Sequence, residues 1–181
     1  MPDRPTQAPN RYPHEWERDA VLPDGGRVHL RPVRPDDADA ILRFHAGLND
    51  ESIYLRFFSH LRQLPPSLLH RFTHVDYDRR MVVLVLLGDV VIAMASYDRD
   101  ATGAAAEIAV AVEEDHQKRG VATLLLEHLV AIARSHGVHS FTANTLPHNR
   151  PVLAVFQNAG FHVETTLDHG TVHVRFSIDP E

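Results

Sequence analysis

The chain has 181 residues, 44% of them hydrophobic and 23% charged, with 18 Lys and Arg against 24 Asp and Glu for a formal net charge of -6. That is enough apolar material for one packed domain and short for two. The basic residues are scattered, with no block to neutralise a run of phosphates, which argues against a nucleic-acid partner. The lack of cysteine excludes disulfides, thiolate metal sites and a cysteine nucleophile.

In chain order, the first twenty residues carry four prolines and many charges before any periodic pattern appears, and 1–25 read as a flexible or loosely packed lead-in. Ordered structure is expected from Gly26, giving one domain over 26–181. "GRVHLRPVR" alternates Val28, Leu30 and Pro32 against His29, Arg31 and Val33, the period of a strand. "PDDADAILRFHAGL" places an Asp cap before Ile41, Leu42, Phe44 and Leu48 at helical spacing. "NDESIYLRFF", capped by Asn49 or Asp50, reads as a second helix and "PPSLLHRFTH" as a short third.

"MVVLVLLGDVVIAMASYD" then reads as two strands about a Gly88-Asp89 turn, the first apolar enough to be covered on both faces. Its run Met81 to Leu87 is too short to span a bilayer, and the N-terminus has no signal-peptide apolar region. No membrane partner is expected, and the location is read as cytoplasmic. In "AAAEIAVAVEED", Ile108, Val110 and Val112 alternate with Glu107, Ala109 and Ala111 along a further strand. A helix over 120–136 follows, with Gly137 as its stop. Next come a strand "HSFTANTL", a helix "NRPVLAVFQNAG" capped by Asn149, and a closing hairpin "FHVETTLDHGTVHVRFSI".

The chemistry concentrates where the strand ending in Val112 meets the helix. A strand feeding a glycine turn and a helix start presents unpaired N–H groups and the positive end of a helix dipole, a site for anionic phosphate. The nucleotide P-loop and the dinucleotide fingerprint both need further glycines beyond Gly120. Gln117-Lys118-Arg119-Gly120-Val121-Ala122, followed by Thr123, instead fits Gln/Arg-x-x-Gly-x-Gly/Ala. This resembles the coenzyme A pyrophosphate loop of the Gcn5-related N-acetyltransferase (GNAT) superfamily. The element order from Gly26 to Ile178 and the "NAGF" at Asn158 to Phe161 resemble that superfamily too.

The resemblance implies an α/β fold with a mixed central sheet of six to seven strands flanked by helices, splayed to take acetyl-CoA. Small residues at Gly120 and Ala122 would let the backbone approach the pyrophosphate, Lys118 and Arg119 would meet outer phosphates, and Val110, Ala111 and Val112 would bind the acyl and pantetheine portion. Asn149 would contact the cofactor as well as cap its helix, and Phe156 stands where many members place a tyrosine that protonates the departing thiolate.

"LRPVRPDDADAILRFHAGLNDESIYLRFF" and "AEIAVAVEEDHQKRGVATLLLEHL" further resemble bacterial protein lysine acetyltransferases, whose domain is often fused to an acyl-CoA-synthetase-like domain that 181 residues cannot hold. In those enzymes a glutamate in the "AEIA"-type strand is the general base. Chemistry points to the same residue, because a lysine amine of pKa about 10.4 must lose a proton before it attacks a thioester. Glu107 lies among Ala105, Ala109 and Ala111, a small-residue face expected to leave a dry setting for it.

The expected activity is acetyl transfer to a protein lysine, an acyl-CoA synthetase being one implied substrate. The alternatives are a small-molecule amine acetyltransferase and a non-catalytic acyl-CoA sensor. A broad acidic groove would favour protein, a closed pocket a metabolite. Tyr54 and Arg56 fall on the helices that line the acceptor side in this superfamily. The fourteen histidines form no His-x-x-x-His with an acidic partner, so no metal is expected. Oligomeric state is left open.

Overall fold

The computed structural model describes residues 11–181. The first ten residues of the expected lead-in lie outside the described residues. The rest of that lead-in is built into the fold, because strand β1 (Arg18–Val21) pairs antiparallel with β2 (Arg27–Pro32), Ala20 opposite Val28. Ordered structure thus starts before Gly26. The sequence hides this because β1 is an edge strand of mostly exposed residues and carries no hydrophobic alternation.

The sheet has eight strands in the order β1-β2-β3-β4-β5-β6-β8-β7, with β3 (Arg80–Leu87), β4 (Val90–Arg99), β5 (Ala105–Val112), β6 (Ser140–Thr145), β7 (Glu164–Asp168) and β8 (Thr171–Ser177). It is mixed. Every neighbouring pair is antiparallel except β5 and β6, which run parallel and are joined by a crossover helix. Met81 to Leu86 in β3 are all buried, as an apolar strand covered on both faces should be.

Helices α1 (Ala38–Gly47), α2 (Asp50–Phe57) and α3 (Pro66–Thr73) cover the face that carries Met94 and Ala111. The other face is packed by α4 (Val121–Ser135), whose Val121, Leu125, Leu129 and Ile132 recur at helical spacing and are buried. Each such leucine or isoleucine stabilises the fold by about 1.5–3 kcal/mol relative to exposure. Beside α4, α5 (Arg150–Asn158) turns Phe156 onto Phe176, 5.1 Å between ring centroids.

The helix ends show which caps act. The Asn49 side chain accepts from Ser52 N–H, as expected of an N-cap. Asp37 does not cap α1. It lies in a 3-10 turn (Pro35–Asp37) and spends its carboxylate on Arg31 and on the N–H of Arg34. Asn149 occupies the N-cap position of α5 but makes no side-chain cap bond; Pro151 in the first turn removes one N–H that would need it. Helix α4 ends before Gly137, which takes the left-handed backbone a helix stop requires.

Candidate active site

Strands β5 and β6 pair only at Ala105 with Ser140, Ala106 with Phe141 and Glu107 with Thr142. Beyond Glu107 they part. β5 continues along β4 to Val112 opposite Ala93, while β6 continues along β8 to Thr145 opposite Val172. The β6-facing edge of β5 from Ile108 to Val112 is therefore left without a strand partner, in a wedge whose apex is Glu107. Backbone N–H and C=O groups on such an edge are obliged to find other partners. One does: Gln117 Nε2 donates to the Val112 carbonyl at 3.1 Å, tying the loop to the strand end.

After a 3-10 turn (Glu114–His116), Lys118 and Gly120 both adopt left-handed backbone, φ 60° and 83°. Such turns direct successive N–H groups to one side, and α4 starts immediately at Val121 with no side-chain cap. Val121, Ala122 and Thr123 thus present first-turn N–H groups at the positive end of a fifteen-residue helix. An uncapped helix start beside a free strand edge fits a pyrophosphate followed by a pantetheine arm. Gly120 is required sterically as well: a Cβ there would lie 3.2 Å from Pro23 Cδ.

Arg119 already has partners within the fold. Its Nε donates to Asp24 Oδ2 at 2.6 Å and its Nη1 lies 2.7 Å from His116 Nδ1, so the β1–β2 turn already holds it. That hydrogen bond lowers the Asp24 carboxyl below the usual range. Lys118 is exposed. Phe156, 1% exposed, is a core residue packed on Phe176.

Glu107 is exposed, not dry as expected. It shares its face with half-buried Ala109 and Ala111 and stands opposite Asp98 of β4. Asp98 accepts from Arg80 Nε at 2.8 Å and from Arg71 Nη2 at 3.2 Å. Arg56 of α2, over the rings of Phe57 and Phe72 at 4.9 and 5.8 Å, completes a cleft of about 180 Å³ between α2, α3 and the sheet. Burial pulls the Arg56 guanidinium down to about 10, opposed by the carboxylates of Glu107 and Asp98. It remains a cation at neutral pH. Tyr54, two residues earlier on α2, stacks on His60 and stays exposed.

Asp98, Arg71 and Arg80 were not legible as site residues. Arg80 meets Asp98 through the β3–β4 register, which shifts at a bulge between Val85 and Leu86, and Arg71 reaches Asp98 only once α3 packs over the sheet. Among the described residues no group of three or more His, Asp or Glu could hold a metal ion, and no helix is long and apolar enough to cross a membrane.

A parallel strand pair that opens at a carboxylate, with an uncapped helix start on one side and a lined cleft on the other, is the arrangement expected of an acyl-CoA-binding α/β fold. Residues 49–161 match the family model described as Acetyltransferase (GNAT) family, and the chain belongs to that family. It is 32% identical over 159 residues to acetyltransferase Pat of Mycolicibacterium smegmatis, a match spanning 86% of this chain and 47% of that protein. The chain thus spans about half the length of that relative.

Among solved structures, the GNAT domain of S. lividans PAT superposes with a TM-score of 0.88 at 39% identity, covering 92% of this chain and 99% of that one. YncA of Salmonella typhimurium, solved with acetyl-CoA, shares the fold at a TM-score of 0.67 and 22% identity, over 85% of this chain and 95% of that one. The eight strands exceed the six to seven expected by β1, which lies at the far edge of the sheet from the wedge.

Proposed function

We propose that the protein moves the acetyl group of acetyl-CoA to the side-chain amine of a protein lysine, by direct transfer in a ternary complex, with Glu107 as general base. The observation that carries this is the place of Glu107: it is the last residue of β5 paired to β6, at the apex of the wedge, and it stands opposite Asp98, which lines the cleft. The resemblance to bacterial protein lysine acetyltransferases selects lysine among amines.

Gly120, Val121, Ala122 and Thr123 would hold the pyrophosphate through backbone N–H groups, with Gln117 and Lys118 beside it. Arg119 would reach an outer phosphate by exchanging Asp24 for it. Val110, Ala111 and Val112 would take the pantetheine and acyl portion along the free edge of β5, and one of their N–H groups would donate to the acyl oxygen as it gains charge. Bound acetyl-CoA supplies the thioester carbon that the amine attacks and a thiolate leaving group.

Glu107 accepts the proton that the lysine must lose, and its exposure lets water carry that proton away. Phenylalanine at 156 stands where many members place a tyrosine general acid, and a thiol of pKa about 8.5 can depart as the anion without one. An acyl-CoA synthetase is the substrate protein that the resemblance favours. The exposure of Glu107 favours a macromolecular acceptor over the rival, a small amine enclosed in a pocket.

Mass spectrometry of lysines after incubation with acetyl-CoA and a cell extract tests the reading. New acetyl-lysine sites that depend on the protein are expected. Turnover of small amines with no gain in protein acetylation would replace lysine by a metabolite, and cofactor binding with no turnover of any amine would leave only an acyl-CoA sensor.

A further inference from the structure

The cleft beside Glu107 is not the acidic groove that a cationic acceptor alone would suggest. Arg56, Arg71 and Arg80 line it, while Asp98 is its single carboxylate and Glu107 stands opposite Asp98 on the neighbouring strand. Three guanidiniums therefore face two carboxylates. Asp98 is spent on Arg71 and Arg80, both at hydrogen-bonding distance. Arg56 donates no hydrogen bond to any described residue, although it is half-buried and carries five N–H donors. Its stem and plane are held by Phe57 and Phe72, so its head is placed before any acceptor arrives. Its N–H donors reach solvent, so an incoming acceptor engages them without breaking an existing contact.

A planar guanidinium matches a carboxylate in a two-pronged bond. We propose that the cleft selects acceptor amines carried next to a carboxylate, which Arg56 binds while Glu107 takes the proton from the amine. This rests on the protein-lysine reading, under which the target lysine has an acidic neighbour. Such a neighbour would bring the charge that the cleft lacks. It would also keep the lysine ammonium from meeting an uncompensated excess of positive charge, a penalty for acceptors flanked by neutral or basic residues.

Steady-state kinetics with matched lysine peptides, flanked by Asp or Glu, by Asn or Gln, or by Arg, tests the assignment. For the wild-type protein kcat/KM is expected to be about tenfold or more higher with the acidic flank than with its amide counterpart, mainly through KM. Arg56→Met, which keeps an aliphatic stem over the two rings, should bring that ratio close to one. Arg56→Lys, a point charge without the fork, should keep part of it, and thermal melts of both variants monitor folding. Equal turnover of acidic and amide peptides by the wild type, or an unchanged ratio in Arg56→Met, would overturn the inference while the lysine reading stands. If no lysine peptide is acetylated but free amino acids are, and their turnover collapses when the α-carboxylate is amidated or Arg56 is replaced, the carboxylate site holds and the protein reading falls. If neither peptides nor amino acids show any dependence on a carboxylate, the carboxylate site itself is refuted.

Discussion

Asp37 accepts from both arms of the Arg31 guanidinium at 2.7 Å and from the N–H of Arg34 at 2.6 Å, with both side chains largely buried. Burial alone would raise its carboxyl. The guanidinium and the N–H bonds outweigh burial and hold it below the usual range. The pair fastens the end of β2 to the start of α1. Removing one partner of such a pair leaves a buried charge uncompensated, so Asp37→Asn should cost about 3 kcal/mol in denaturant unfolding. A cost within experimental error would mean that solvent reaches Arg31. Arg119 teaches the opposite lesson about charge. From its position in the loop it reads as a phosphate ligand, yet in the fold its charge is already met by Asp24, ninety-five residues away in sequence.

At the scale of elements, the turn into α4 decides how closely a phosphate can approach. Gly120 adopts a left-handed φ, and an added Cβ would press on Pro23. Gly120→Ala should therefore raise KM for acetyl-CoA about tenfold, since the strained turn is worth on the order of 1–2 kcal/mol. An unchanged KM would show that the loop backbone does not touch the cofactor.

Further along α4, His128 is buried against Trp16 and its Nε2 lies 2.8 Å from the Trp16 carbonyl. Burial lowers its pKa below 6.5, more than the hydrogen bond raises it. The unfolded chain therefore binds that proton more readily, so the contribution to stability is complete above about pH 6.5 and is lost as pH falls through the lower folded value. Melting temperatures between pH 7 and 5 should fall further for the wild type than for His128→Gln, which keeps a donor but cannot titrate. Parallel curves would contradict this.

The whole molecule is a sheet that opens at one point. Much of it was legible in advance: the apolar run of β3, the alternation in β5, the α4 stripe and the glycine at its start set the strand-turn-helix unit, because each is a local pattern. What stayed hidden depends on pairing across distance. The edge strand β1 lacks an apolar face, Phe156 is committed to Phe176 only when β8 returns, and the Arg71–Asp98–Arg80 cluster exists only in one β3–β4 register with α3 laid over it. The wedge itself follows from β6 leaving β5 after three residue pairs, and it is this opening that puts Glu107 between a cofactor edge and an acceptor cleft.

The central claim, that Glu107 takes the acceptor proton, is tested most directly by the rate of acetyl transfer in wild type and Glu107→Gln, with acetyl-CoA affinity measured alongside. The expected result is a loss of about a hundredfold or more in kcat with acetyl-CoA binding within about threefold of wild type. A Glu107→Gln enzyme that retains its rate would contradict the assignment.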